Sequence, residues 1–298
     1  MTAPSVTVVI PTRDRPDLLR SAIAAVRAQD YPGTVDLVVV YDQSTPDSSL
    51  AAADLRVLCN DRSPGLAGAR NTGVKAATGA LVAFCDDDDE WLPGKLTAQV
   101  AALSDNAELV CCGIRVNYGN RQVARCLDRT QVTLPELLRD RLTELHPSTF
   151  LFRRSALVGQ IGLVDEQIPG SYAEDYELLL RAARRHPIAN LTTPYVLVRW
   201  HAKSYFSQRW TMVAAALEWL LQRYPEFTTV PAGYARIGGQ IAFAHAALGQ
   251  RRAALRWIGR TIRASVREPR AYVALAVTFR LASTDWVLRT LHRRGRGI

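Results

Sequence analysis

The apolar run Ala80-Leu-Val-Ala-Phe-Cys85 passes without a spacer into five consecutive acids, Asp86 to Glu90. A short apolar run of this kind has the length of a strand covered on both faces. Such strands, in open α/β sheets, deliver ligand-binding groups from their carboxyl ends. Adjacent carboxylates raise one another's pKa, so a row of them needs a hard cation, hydrogen-bond donors or water to hold the charge. The end of a buried strand offers little water. Oxygen donors favour magnesium, manganese or calcium over zinc, and the segment therefore reads as a metal and nucleotide site. An acidic surface loop is the competing reading.

Other segments repeat the same grammar. Val6 to Ile10 is a buried-strand run that ends in Pro11-Thr-Arg-Asp-Arg-Pro16, and Pro16 suits the first turn of a helix in which Leu18, Leu19, Ala22, Ile23 and Val26 recur at helical spacing. Val35 to Tyr41 runs into Asp42-Gln-Ser-Thr45. Arg56 to Cys59 leads to Asn60-Asp-Arg-Ser-Pro-Gly65, followed by a small-residue helix carrying Arg70 and Asn71. Alternating strands and helices predict a parallel sheet with right-handed crossovers. Beyond the acids, the patterns predict a helix over 93–103, a strand over 109–115, a loosely patterned stretch over 118–145 that reads as a loop over the site, a strand over 148–153, a helix from Glu174 to about Arg185, and mixed extended chain over 190–200. Glu174 and Asp175 also suit a first helical turn as charges facing the helix dipole.

Charge divides the chain unevenly. The whole carries 37 Lys and Arg against 28 Asp and Glu, a net +9. From residue 232 to the end there are 13 arginines, no lysine and two acids, Glu268 and Asp285, so the basic excess belongs to that segment alone. Between Gln250 and Glu268 a single helix is expected, with Arg252, Arg256, Arg260, Arg263 and Arg267 on one face and Leu255, Ile258, Ile262 and Val266 on the other. Such a face suits peripheral contact with an anionic membrane through residues 232–298. It also suits an ordinary helical subdomain with solvated arginines. Nucleic acid is not expected, because no recognition motif accompanies the charge. No run approaches the roughly 20 apolar residues that cross a bilayer, and no export segment opens the chain, so the expected location is the cytoplasm, with peripheral attachment to the inner face of the membrane. Five cysteines without Cys-x-x-Cys spacing suggest neither a disulfide framework nor a zinc site.

Taken in order, these segments resemble the family 2 glycosyltransferases of GT-A fold. Val6-Thr-Val-Val-Ile-Pro-Thr-Arg-Asp-Arg-Pro16 is similar to the family's opening strand and loop, and Val40-Tyr-Asp-Gln-Ser-Thr45 to its second-strand Asp-Asp-Gly-Ser-Thr, with Tyr41 and Gln43 departing from the common residues. Gly68-Ala-Arg-Asn-Thr-Gly73 resembles the Ala-Arg-Asn-x-Gly segment, and Phe84-Cys-Asp-Asp-Asp-Asp-Glu-Trp-Leu-Pro93 the metal-binding sequence. Glu174-Asp175 with Glu177, Leu178 and Arg181 resembles the Glu-Asp helix, and Arg199-Trp-His-Ala-Lys-Ser204 a terminal Arg-x-His-x-x-Ser. The resemblance covers residues 5–207. It implies a GT-A type nucleotide-binding sheet, mostly parallel and flanked by helices, over 1–207; the tail lies outside it, and its own pattern predicts a helical, arginine-rich extension over 208–298.

By the same resemblance, Thr12 and Asp42 would meet the nucleotide base, Arg70 the base or ribose, and Asp86 and Asp87 the ribose. Asp88 would hold a divalent cation, Mn2+ or Mg2+, with His201 assisting, and Asp175 would be the general base. Asp42 alone also fits an Asx turn, and Arg70 a salt bridge. The implied reaction is inverting transfer of a sugar from a nucleotide-sugar donor, with a UDP-sugar expected, to a hydroxyl on a sugar, a lipid-linked molecule or another acceptor. A divalent cation would stabilise the charge left on the diphosphate. Nucleotidyl transfer and dinucleotide-dependent reduction are disfavoured because the first loop lacks a glycine-rich phosphate cradle. A non-catalytic scaffold docking through the basic tail keeps the fold and abandons turnover.

Overall fold

The computed structural model describes residues 2–104, 106–118, 121–199 and 209–293. Its described elements run β1 (Val6–Thr12), α1 (Pro16–Arg27), β2 (Val35–Tyr41), β3 (Leu55–Cys59), α2 (Leu66–Ala76), β4 (Leu81–Phe84), β5 (Glu90–Trp91), α3 (Lys95–Ala101) and β6 (Leu109–Asn117). They continue with β7 (Gln122–Arg125), β8 (Gln131–Val132), α4 (Leu134–Arg139), β9 (Leu151–Arg153), α5 (Arg154–Val158), α6 (Glu174–Arg185) and β10 (Ile188–Arg199). Five helices follow: α7 (Trp210–Arg223), α8 (Pro231–Ala247), α9 (Arg251–Ala264), α10 (Pro269–Thr278) and α11 (Thr284–Arg293).

The strands form one ten-stranded sheet in the order β3-β2-β1-β4-β9-β6-β10-β5, with β7 on β6 and β8 on β10. The pairings make β1, β2, β3, β4, β6 and β10 run one way, while the short β5, β7, β8 and β9 oppose them. The sheet is thus mostly parallel, as the alternating pattern predicts. Every residue of β1 and β4 is buried, which is why these strands read as unbroken apolar runs. Helix α1 presents Leu19, Ala22, Ile23 and Val26 to the core. Helix α2 lies close on the sheet: a Cβ added to Gly73 would come within 2.2 Å of Val9 Cγ1.

Several predicted bounds move, each for a local reason. The helix expected over 93–103 spans only Lys95–Ala101, because Gly94 between it and Pro93 takes a left-handed φ of 80°. The strand expected over 148–153 begins as a 3-10 turn, Pro147–Thr149, and only Leu151–Arg153 joins the sheet. The stretch expected as a loop over 118–145 carries β7, β8 and α4 instead. Strand β10 continues to Arg199 through register shifts around Pro194, a residue with no N–H to give the ladder.

The chain divides into two compact units. The first holds the sheet with most of its helices. The second gathers the described residues from 209 onward together with 135–141 and 167–173, two short segments that interrupt the first unit in sequence. Within it α8 approaches α4 so closely that a Cβ on Gly233 would meet the Leu138 carbonyl. One expectation here fails: the helix drawn from Gln250 to Glu268 stops at Ala264, where Ser265 turns extended, so Val266 and Arg267 leave the helical face assigned to them. The buried side of α9 is Ala254, Trp257, Ile258 and Thr261, and Leu255 and Val266 are exposed. Trp257 is a core residue that the expected apolar face of Leu255, Ile258, Ile262 and Val266 leaves out. Among the described residues no helix is long and apolar enough to cross a membrane. The five cysteines are unpaired, with Cys85, Cys111 and Cys112 buried.

Candidate functional site

Because β1, β2, β3 and β4 are parallel, the residues that follow them emerge along one edge of the sheet. Thr12 closes β1 and its Oγ1 donates to Asp87 Oδ2 at 2.7 Å. Its carbonyl accepts from Asp42 N at 2.9 Å, which locks the ends of β1 and β2 together. The Asp42 carboxylate accepts from Gly65 N at 3.1 Å, from Asn60 Nδ2 at 2.8 Å and from Gln43 Nε2 at 3.0 Å. It therefore ties the end of β2 to the loop that starts α2. Gln43, the departure from the family pattern, takes a left-handed φ of 53° and folds back onto that carboxylate.

The five acids of the run sit in different environments. Asp87 is 6% exposed, and burial, only partly offset by the Thr12 hydroxyl, pushes its carboxyl up to about 6. Asp88 is more open and accepts from Arg15 Nη1 at 2.6 Å, while the same nitrogen lies 3.3 Å from Asp87 Oδ1. Asp89 is buried. Its Oδ2 accepts from Ser148 Oγ and sits 3.2 Å from His146 Nδ1, and burial holds its carboxyl well above the usual range. Asp86 N donates to Ser148 Oγ at 2.9 Å, and Trp91 Nε1 donates to the Ser148 carbonyl at 3.1 Å. The short turn carrying His146 and Ser148 thus shapes the acidic segment from behind. Glu90, the last of the five, pairs with Arg199.

Arg70 sits on α2 with its side chain only 2% exposed. Its Nη2 donates to Asp86 Oδ1 at 2.7 Å, and its Nη1 donates to Glu174 Oε1 at the start of α6. The guanidinium also lies over the Phe84 ring, 5.6 Å from its centroid. Burial works against the cation, but Asp86, Glu174 and the neighbouring Asp175 more than compensate and hold it charged. Glu174 responds in the opposite sense: burial outweighs Arg70, and its carboxyl is pushed up to about 7, with the Asp175 charge adding to the rise. Asp175 itself is half-buried. The structure therefore makes Arg70 a buried bridge between two carboxylates, with both Nη atoms engaged, and Glu174 more than a helix-terminal charge.

Behind this bridge the start of α2 is anchored to the 164–166 segment. Asn71 exchanges hydrogen bonds with the main chain of Val164 at 2.8 and 2.9 Å. Glu166 accepts from Asn71, Arg62 and the Ser63 N–H, and these donors overcome burial and pull its carboxyl down to about 2.

Thr12, Asp42, Arg70, Asp86, Asp87 and Asp88 are linked through these contacts along the sheet edge, and Asp175 adjoins them through Glu174. His201 and Trp200 lie outside the described residues. Among the described residues, Asp86, Asp89 and His146 can bring one donor atom each within 4.8 Å of the others. With Asp88 alongside, carboxylate oxygens and one imidazole without a thiolate suit a hard divalent cation. Arg15 sets a positive charge on Asp88. Sequence reasoning missed Arg15, Ser148, His146 and the Arg70 partnership of Glu174. The arginine beside the acids was in plain view in the first loop. His146 and Ser148 carried no local signal, since they follow the least patterned stretch of the chain.

Comparisons with known proteins bear on the family and the fold. The profile of the family described as Glycosyl transferase family 2 matches residues 7–158. The UDP-Glc:alpha-D-GlcNAc-diphosphoundecaprenol beta-1,3-glucosyltransferase WfgD of Escherichia coli is 29% identical over 123 residues, 40% of this chain and 46% of that protein. The chain thus spans less than half the length of that curated relative. Among solved structures, S. aureus TarS 1-349 in complex with UDP-GlcNAc matches with a TM-score of 0.64 at 20% identity, over 98% of this chain and 92% of that one. The mannosyltransferase PcManGT from Pyrobaculum calidifontis, in complex with GDP-Man and Mn2+, matches with a TM-score of 0.56 at 18% identity, over 93% and 84% of the two chains. These two likenesses are of fold.

Proposed function

Since the chain belongs to glycosyl transferase family 2 by the match over residues 7–158, we propose that it transfers a sugar from a nucleoside-diphosphate donor to an acceptor hydroxyl with inversion at the anomeric carbon. The observation that carries this reading is the Arg70 bridge, which joins Asp86 of the strand-end acids to Glu174, the residue before Asp175. Acids that emerge from β4 and acids that open α6 are thereby parts of one charged assembly.

In this reading Thr12, Asp42, Asp86 and Asp87 face the nucleoside. Arg70 acts indirectly, by fixing Asp86 and the first turn of α6. A divalent cation, Mn2+ or Mg2+, held by Asp88 together with Asp86, supplies when bound the positive charge that stabilises the departing diphosphate. Asp175 takes the proton from the acceptor hydroxyl as its oxygen bonds to the anomeric carbon and the bond to the donor phosphate breaks. Attack from the side opposite departure inverts that carbon. Glu174, paired with Arg70, holds the turn that presents Asp175.

A UDP-sugar is the donor class supported by the relative named for UDP-Glc and the fold neighbour solved with UDP-GlcNAc. A lipid-linked diphosphate acceptor is supported by the name of the same relative. The arginine-rich second unit, with Phe279, Leu281 and Trp286 exposed, would keep the protein against an anionic membrane where such an acceptor resides.

The test is turnover of the full chain with UDP-, GDP- and dTDP-sugars, Mn2+ and a polyprenyl-diphosphate sugar, with the product's anomeric configuration read by NMR. Transfer with inversion is expected, and Asp175→Asn should remove it while nucleotide affinity stays near the original. Retention at the anomeric carbon, or no turnover of any donor, overturns the reading. Full activity in Asp175→Asn removes Asp175 as the base.

A further inference from the structure

Among the described residues three arginines contact the acidic run, Arg15, Arg70 and Arg199, and the first two differ in freedom. Arg70 is locked, with its side chain 2% exposed and two carboxylates in contact. Arg15 is 40% exposed, and it reaches Asp88 from the loop between β1 and α1. Its backbone precedes Pro16 at the first position of α1, and its side chain makes no capping bond to that helix. Asp87 has a second donor in Thr12. Asp88 does not: among the described residues Arg15 is the cation in contact with it, at 2.6 Å. A guanidinium and a divalent cation on one carboxylate repel each other, and neither gains from sharing it. What would release Arg15 is another anion within its reach, and a nucleoside diphosphate brings two phosphates, which arginine binds well.

We propose that Arg15 is the resident counter-ion of Asp88, competing with the divalent cation until an anionic diphosphate draws the guanidinium away, so that metal and nucleotide bind cooperatively. This rests on the reading that Asp88 holds the metal. Arg15 is then a positioning residue that orients Asp88 in the ligand-free protein, and its exposure lets it move without disturbing the core. Coupling of this kind is reciprocal, so UDP must raise Mn2+ affinity by the factor by which Mn2+ raises UDP affinity.

The experiment is Mn2+ titration of the full chain, followed by electron paramagnetic resonance of the free ion, with and without UDP. In Arg15→Gln, Mn2+ affinity without UDP should rise by about tenfold, within the usual range of such couplings, and UDP should enhance it less than in the parent. Arg15→Lys, which keeps a charge on a different stem, should fall between the two. Asp88→Asn should lose Mn2+ binding in either condition. If Arg15→Gln binds Mn2+ no more tightly than the parent while Asp88→Asn loses it, the competition is overturned and the metal assignment stands. If Asp88→Asn keeps the parent affinity, the assignment of Asp88 fails and the competition falls with it.

Discussion

Glu174 opens α6 by accepting a hydrogen bond from Arg70, a residue 104 positions earlier on α2. Both groups are buried, so neither is stable without the other, and the same guanidinium reaches Asp86. Removing one member of a buried ion pair leaves an uncompensated charge and typically costs about 3–5 kcal/mol. Arg70→Met is therefore expected to lower stability by about 3 kcal/mol or more in denaturant unfolding, whereas Arg56→Met, an exposed site, should change it little. A loss below about 1 kcal/mol would mean that Arg70 is not the common partner of these acids.

Protonation of Glu174 has a signed consequence for stability. Its carboxyl is raised from 4.5 to about 7 in the folded protein, so the folded state holds a proton that the unfolded chain releases. The resulting stabilisation is complete below about 4.5 and is lost as pH rises through about 7. Thermal midpoints should fall over that window, and Glu174→Gln, which keeps the shape and removes the titration, should flatten the fall. An equal slope in the variant would assign the effect to other carboxyls.

At Gly73 α2 lies close on the sheet, and a Cβ there would come within 2.2 Å of Val9 Cγ1. Forcing atoms into a packed contact usually costs about 1–3 kcal/mol. Gly73→Ala should therefore destabilise by that amount and, by shifting the helix that carries Arg70, weaken UDP binding as well. Unchanged UDP affinity in isothermal titration would show that the register of α2 does not control the site.

Basic and apolar side chains share the surface of the second unit. Arg252, Arg256, Arg260 and Arg263 are exposed along α9, and Leu281 is 82% exposed. Each arginine close to an anionic leaflet contributes about 1 kcal/mol, and this part is screened by salt. Flotation with phosphatidylglycerol vesicles should recover the full chain at low salt, and raising salt or combining Arg256→Gln with Arg260→Gln should reduce recovery. Phe279→Ser with Leu281→Ser should reduce it at both salt levels. Equal recovery on neutral phosphatidylcholine vesicles would remove the electrostatic part of the attraction.

The sequence by itself determined the alternation of strands and helices, the parallel sense of the principal strands, and the edge on which Thr12, Asp42 and the acids after β4 emerge, because burial on both faces and strand-to-loop punctuation are local, periodic signals. It also determined the family, through motifs carried on those same strand ends. Tertiary structure alone decided which donor serves which carboxylate: Arg70 for Asp86 and Glu174, Arg15 for Asp88, Ser148 for Asp89. Those pairings span 16 to 104 residues and depend on side chains meeting across elements, which no periodicity records. For the same reason the buried stripe of α9 came out through Trp257 rather than Leu255: the sequence lays out a helix's faces, and its packing neighbours select the one that is covered.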